Sequence, residues 1–215
     1  RMRARLRQRL RDIYAPKGLT LKQFELLFDI DEEATDLWEA LSPHIRDASE
    51  TGVRALRTLF GIAPDMSLYD ARTTARLLRQ ERRIRWISET TWERLREALA
   101  EGLEAGEGID GLIRRVDEVV GELTTWRGER IARTESAAAL NGAFMDGMIA
   151  GGVRRKMWVA ALDERTRPSH EAAHGQIREV GEPFQVGDTL LHYPGEPQGP
   201  PHEIINCRCT VVPVD

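Results

Sequence analysis

The chain has few cysteines: two in 215 residues, Cys207 and Cys209, with one residue between them. A disulfide between such close neighbours is strained, so a covalently stapled extracellular domain is not expected and a reducing compartment is. There is also no apolar run of roughly 18 residues or more, so no membrane-spanning helix is expected. The first residues are charged and lack the apolar core of a secretory signal. Neither sign of charge is in excess: 31 Lys and Arg stand against 35 Asp and Glu, for a net charge of −4. A globally basic nucleic-acid binder is therefore not expected. Internal repeats and low-complexity tracts are missing, which excludes a solenoid. The first residue is Arg1 rather than methionine, which reads as a piece of a longer protein.

What is present divides in two. At 41% hydrophobic residues, the chain can bury a substantial core. Residues 1 to about 150 read as helical, whereas seven of the ten prolines fall after residue 153, where short strands and loops are expected. Arginine occupies positions 1, 3, 5, 7, 9 and 11, and Leu6, Leu10 and Ile13 recur at helical spacing. This predicts a basic amphipathic helix to Tyr14, whose charged face is solvated, docks on an acidic partner surface, or contacts DNA.

Thr20 and Gln23 form a capping box, with Leu19 and Phe24 as a hydrophobic staple, and predict a short helix to about Phe28. Asp31 is the expected cap of a run to Phe60, with a break or kink at Pro43. A helix from Ser67 toward Arg83 follows. A second capping box, Thr90 and Glu93, starts another helix, which ends at Gly106 and Gly108. Ile109 to Val120 is amphipathic, and a long helix from Thr125 to Ala150 stops at Gly151-Gly152. Strands are expected at Lys156–Ala161, Thr189–Tyr193 and Arg208–Val214. The fold class is α+β: a helical N-terminal region, with a smaller, mixed, β-rich C-terminal domain packed on a long helix.

Several residue groups carry candidate chemistry. Thr134 and Asn141 are seven apart and share one face of the long helix, where polar groups suit holding the β-rich loops. Arg133 and Glu135 are too close to pair as helical neighbours and need partners elsewhere. Asp163, Arg165 and Thr166 follow the strand of Trp158, and Asp and Thr there fix a turn through backbone amides. His170-Glu171-Ala172-Ala173-His174 spells the H-E-x-x-H pattern of zinc peptidases. Pro168 and Gly175 leave too short a helix for that use, so a zinc-dependent hydrolase is the lesser alternative. On a strand, Cys207 and Cys209 would present both thiols to one face. With His170 and His202 they would complete a tetrahedral, closed zinc site; His174, His192 or Asp163 are substitute ligands. The plainer alternative is two buried thiols and solvated histidines.

Four blocks stand in order: Ile131-Ala132-Arg133-Thr134-Glu135 with Asn141; Lys156-Met157-Trp158 with Asp163-Glu164-Arg165-Thr166-Arg167, His170 and Gly175; Phe184 with Gly187; and Asn206-Cys207-Arg208-Cys209. Together they resemble the phage Mu F-like family of minor head proteins over residues 95 to 212. The resemblance implies a structural rather than enzymatic component, present in few copies at the portal vertex of a tailed phage or prophage. It implies portal and capsid partners, a place in the virion, and the host cytoplasm during assembly. The expected domains are a helical docking region, 1–94, and a Mu F-like head morphogenesis domain, 95–215. DNA contact through the arginine-rich start is the remaining partner alternative.

Overall fold

A computed structural model describes residues 2–14, 23, 26–123 and 126–214. Its elements are α1 (Met2–Ile13), α2 (Ile30–Phe60), α3 (Met66–Glu104), α4 (Ile109–Leu123), α5 (Trp126–Ala150), β1 (Arg155–Val159), α6 (Pro168–Ala173), β2 (Ile177–Glu179), β3 (Phe184–Val186), β4 (Thr189–Leu191), α7 (Pro201–Ile204) and β5 (Thr210–Val214). The fold is α+β, with the strands of the described residues confined to the C-terminal part. β1 pairs antiparallel with β2 on one side and β5 on the other, and β3 and β4 form a separate hairpin. Trp158 lies opposite Val211 in the β1–β5 ladder. None of the described helices is long and apolar enough to cross a membrane.

The chain packs into two compact units: residues 1–40 with 81–129, and residues 41–80 with 130–215. Each unit is therefore assembled from two separate stretches of chain, a division that no local composition shift reports.

In the first unit, Leu6 and Leu10 of α1 join Leu95 and Leu99 of α3 and Leu112, Val116 and Val120 of α4 in one buried cluster. The three contributions follow the 3.6-residue period of their helices, which puts each apolar stripe on one face. The arginines of α1 lie among acidic residues from distant sequence. Arg3 and Arg7 both bond Asp117. Arg5 pairs with Glu33 at 2.6 Å and Asp36 at 2.7 Å, and Arg9 pairs with Glu32 at 2.7 Å. Asp117 is held down to about 2 by the hydrogen bonds from Arg7 and then Arg3. The basic stripe is thus bound to carboxylates of its own unit, which departs from a face free for DNA.

Local signals account for some ends and not others. α2 is capped by Asp29, not Asp31: its Oδ1 accepts the backbone N–H groups of Asp31 and Glu32, each at 3.0 Å. Pro43 lies inside α2 without ending it. The cap expected at Thr90 does not form, because α3 is continuous across it. Thr90 and Thr91 instead donate their hydroxyls back to the Ile87 carbonyl, at 2.9 and 2.8 Å. Between Met66 and Glu101 the sequence has no glycine or proline to stop the helix. The Thr20 capping box and the Leu19–Phe24 staple lie outside the described residues, as does most of the short helix expected before Phe28.

The second unit carries the strands. Phe144, Met145 and Met148 on α5 pack with Leu56 of α2 and with Trp158, Phe184, Leu191, Ile204 and Val211 from the β-rich segment. Along α5, Gly142 lets a buried arginine pass: a Cβ there would lie 2.3 Å from Cδ of Arg76. Arg76 reaches Asp146 at 3.0 Å and Ser49 at 3.2 Å.

Candidate metal centre

The site is built where three short elements of the second unit meet. Pro168 opens α6 with its fixed φ, at a position where a missing N–H costs no helical bond. That turn places His170 inward, 2% exposed. Trp158, fully buried on β1, meets the His170 ring edge-on at a centroid distance of 5.6 Å. After α7, Asn206 adopts a left-handed φ of 59°, and the extended segment that follows turns both cysteines inward. Cys207 and Cys209 are 3% and 5% exposed. They precede β5 rather than lying on it.

The ligand atoms converge. Nδ1 of His170 lies 3.2 Å from Sγ of Cys209 and 3.6 Å from Sγ of Cys207. Among the described residues, the three donor atoms form one group, all within 4.8 Å of one another. Cys209 is pushed down to about 5, first by its hydrogen bond with Cys207 and, against desolvation, by its hydrogen bond with His170. Cys207 is pushed up by the same bond to Cys209 and by burial. The arrangement offers thiolate and imidazole to a soft or borderline cation.

His202, the fourth ligand expected from the sequence, is not brought to the group. Its side chain is 77% exposed, on α7. The neighbouring Glu203 points inward instead, with its Oε2 2.9 Å from Nε2 of His170. The substitutes are also engaged elsewhere. His174 accepts the Ala160 N–H through Nδ1 at 3.1 Å, and His192 lies against Glu196. Asp163 is gripped by Arg208. Because His170 and His174 have different partners, the H-E-x-x-H segment does not present two imidazoles to one ion.

The other sequence-derived residues surround this centre or tie it down. Asn141, 1% exposed, donates to the Cys209 carbonyl at 3.0 Å and accepts from Thr210 Oγ1 at 2.9 Å and Val211 N–H at 3.3 Å. Thr134, seven residues earlier on the same face of α5, accepts the Asn206 N–H at 3.0 Å. Two side chains of one helix thus fix the backbone on both sides of the cysteines. Asp163 organises its own turn: its Oδ1 accepts the Arg165 N–H at 3.0 Å, and its N–H bonds Thr166 Oγ1 at 3.0 Å. The Asp163–Arg208 pair links that turn to the residue between the cysteines and holds the Asp163 carboxyl well below its usual range. Glu135 is buried and accepts from Gln80 Nε2 at 2.9 Å. Arg133 and the side chain of Arg165 face solvent.

Comparison with known proteins follows the same segment. An uncharacterized protein of Haemophilus influenzae is 31% identical over 125 residues, 57% of this chain and 25% of its own length. "Minor head protein GP7" of Bacillus phage SPP1 is 32% identical over 121 residues, 54% of this chain and 38% of its own. The chain thus matches well under half the length of these relatives. No solved structure matches it. The family model "Phage Mu protein F like protein" matches residues 93–212, more than half the chain and the whole of the segment that carries the cysteines, His170 and their supports. The chain belongs to the phage Mu protein F-like family.

Proposed function

We propose that this protein is a structural minor head component of a tailed phage or prophage, which associates with the portal and inner capsid and assists head assembly and genome packaging or delivery. The observation that carries the reading is the family match across residues 93–212, supported by the minor head protein of phage SPP1 among the relatives. On this reading the protein resides in the virion, passes through the host cytoplasm during assembly, and is not an enzyme. The helical region, 1–94, is the docking part and 95–215 the head morphogenesis domain. Exposed apolar side chains on α2 and α3, Leu59, Leu78 and Trp86, support helix-mediated docking. DNA is the weaker partner, since Arg3, Arg5, Arg7 and Arg9 already hold carboxylates. The His170, Cys207 and Cys209 group serves as a structural zinc clip for a β-rich segment of short strands.

The test is affinity capture with the full chain as bait and the portal and major capsid proteins encoded beside its gene as prey. Retention of the portal is expected, reduced by Leu59→Glu or Trp86→Glu. Capture of neither protein would end the docking reading.

A further inference from the structure

Two features of a zinc ion at this group are set by its neighbours: which imidazole nitrogen of His170 binds it, and what orients that ring. The distances decide the first. A tetrahedral zinc with Zn–N of about 2.0–2.1 Å and Zn–S of about 2.3 Å separates nitrogen from sulfur by about 3.6 Å. Nδ1 of His170 stands 3.2 and 3.6 Å from the two sulfurs, close to that edge length. Nε2 points the other way, to Glu203 at 2.9 Å.

Glu203 is itself held. It is 6% exposed, and its Oε2 accepts the Ser169 hydroxyl at 2.9 Å. Its Oε1 rests against the β3–β4 turn, where a Cβ on Gly187 would come within 2.9 Å of it. Gly187 also has a φ of 55°, which a side chain would strain, so both the turn and the carboxylate depend on glycine there. A buried carboxylate needs a donor, and the Nε2–H of a neutral imidazole provides one. That proton leaves Nδ1 with its lone pair directed at the thiols.

Resting on the zinc reading of this cluster, we propose that His170 binds the ion through Nδ1 beside the Cys207 and Cys209 thiolates, and that Glu203 is the positioning residue that fixes this tautomer. The carboxylate–imidazole–metal line orients the ring. Among the described residues, no fourth His, Cys, Asp or Glu atom joins the group. Glu203 thus supports the group from the position beside His202, which the sequence reading named as a ligand.

The experiment uses the full chain, purified without chelator. Elemental analysis should give about one zinc per chain. Replacement by cobalt(II) should give a thiolate-to-metal charge-transfer band and the intense visible bands of a four-coordinate ion. Chelator competition should show Glu203→Ala weakening metal affinity about 10–100-fold. Glu203→Gln, which keeps an acceptor for Nε2–H, should recover most of that loss, and His202→Ala should change nothing. Long-range nitrogen–proton correlation spectra of the zinc-loaded protein should place the His170 proton on Nε2.

Absence of both zinc and the charge-transfer band would overturn the zinc reading itself. Zinc present with the His170 proton on Nδ1, or with affinity unchanged in Glu203→Ala, would overturn this inference and leave the zinc reading standing. Should Glu203→Ala fail to fold, the tautomer of the wild-type protein and the affinity of Glu203→Gln still decide.

Discussion

Replacing Asn141 with leucine tests how the C-terminal segment is fastened to α5. The two side chains share the same branched arrangement of heavy atoms, so the change removes the hydrogen bonds while keeping the shape. Three partners lose their bond at once: the Cys209 carbonyl, the Thr210 hydroxyl and the Val211 N–H. Each buried group left unsatisfied costs about 1–3 kcal/mol. Thr210 is only partly buried and turns its hydroxyl toward its own chain. The three costs overlap, so a total of about 3–5 kcal/mol is expected. In a chain of this size that lowers the melting temperature by about 10 °C, at about 2–4 °C per kcal/mol. Thr210→Val, which removes one of the three bonds, should cost about 1 kcal/mol. Urea unfolding followed by tryptophan fluorescence and by circular dichroism gives both values. A loss below about 1 kcal/mol for Asn141→Leu would show that the terminal segment is held by its strand pairing and core contacts alone.

Two further outcomes follow from the charged residues. Lys156 is fully buried and donates to the His192 carbonyl at 2.8 Å, and burial pushes its pKa down to about 8. The unfolded chain then holds more protons than the folded one between about pH 8 and 10.5, so stability rises with pH across that window. Lys156→Met should abolish the rise and stabilise the protein by about 1–2 kcal/mol at pH 7, measured by urea unfolding at pH 7 and 10; destabilisation at pH 7 would contradict it. Replacing Arg3, Arg5, Arg7 and Arg9 with glutamine should expose the amides of α1 to hydrogen exchange while changing a weak DNA affinity little. That affinity should already vanish between about 50 and 200 mM salt. A collapse of tight DNA binding with α1 still protected would reverse the assignment.

The sequence was most legible where a period or a fixed spacing carries the information. α1, α4 and α5 follow their apolar stripes within a few residues, and α5 stops at its glycine pair. The C-x-C pair and His170 were readable as ligand types because few residues offer sulfur or imidazole. Selection between neighbours was not readable: on a four-residue helix, His202 and Glu203 differ only in the direction they face, and the tertiary packing sets that direction. The Thr90 capping box failed because the same hydroxyl bonds an upstream carbonyl when nothing breaks the helix. The arginine stripe looked free because its carboxylates at 32, 33, 36 and 117 are distant along the chain. The boundary near residue 95 follows the family motifs, whereas the core around Trp158 also takes Leu56 from α2. A fragment starting at 95 would lack Leu56 and the Arg76 partner of Asp146, so it is a poor vehicle for the head domain.

The proposed function requires that the protein be built into heads at the portal vertex. The direct measurement is quantitative mass spectrometry of heads assembled in the host from the neighbouring portal, scaffold and major capsid genes with the full chain co-expressed, set against heads assembled without the portal. A few copies per head are expected when the portal is present, and loss when it is omitted. Heads that carry none of the chain, or equal amounts with and without the portal, would contradict it.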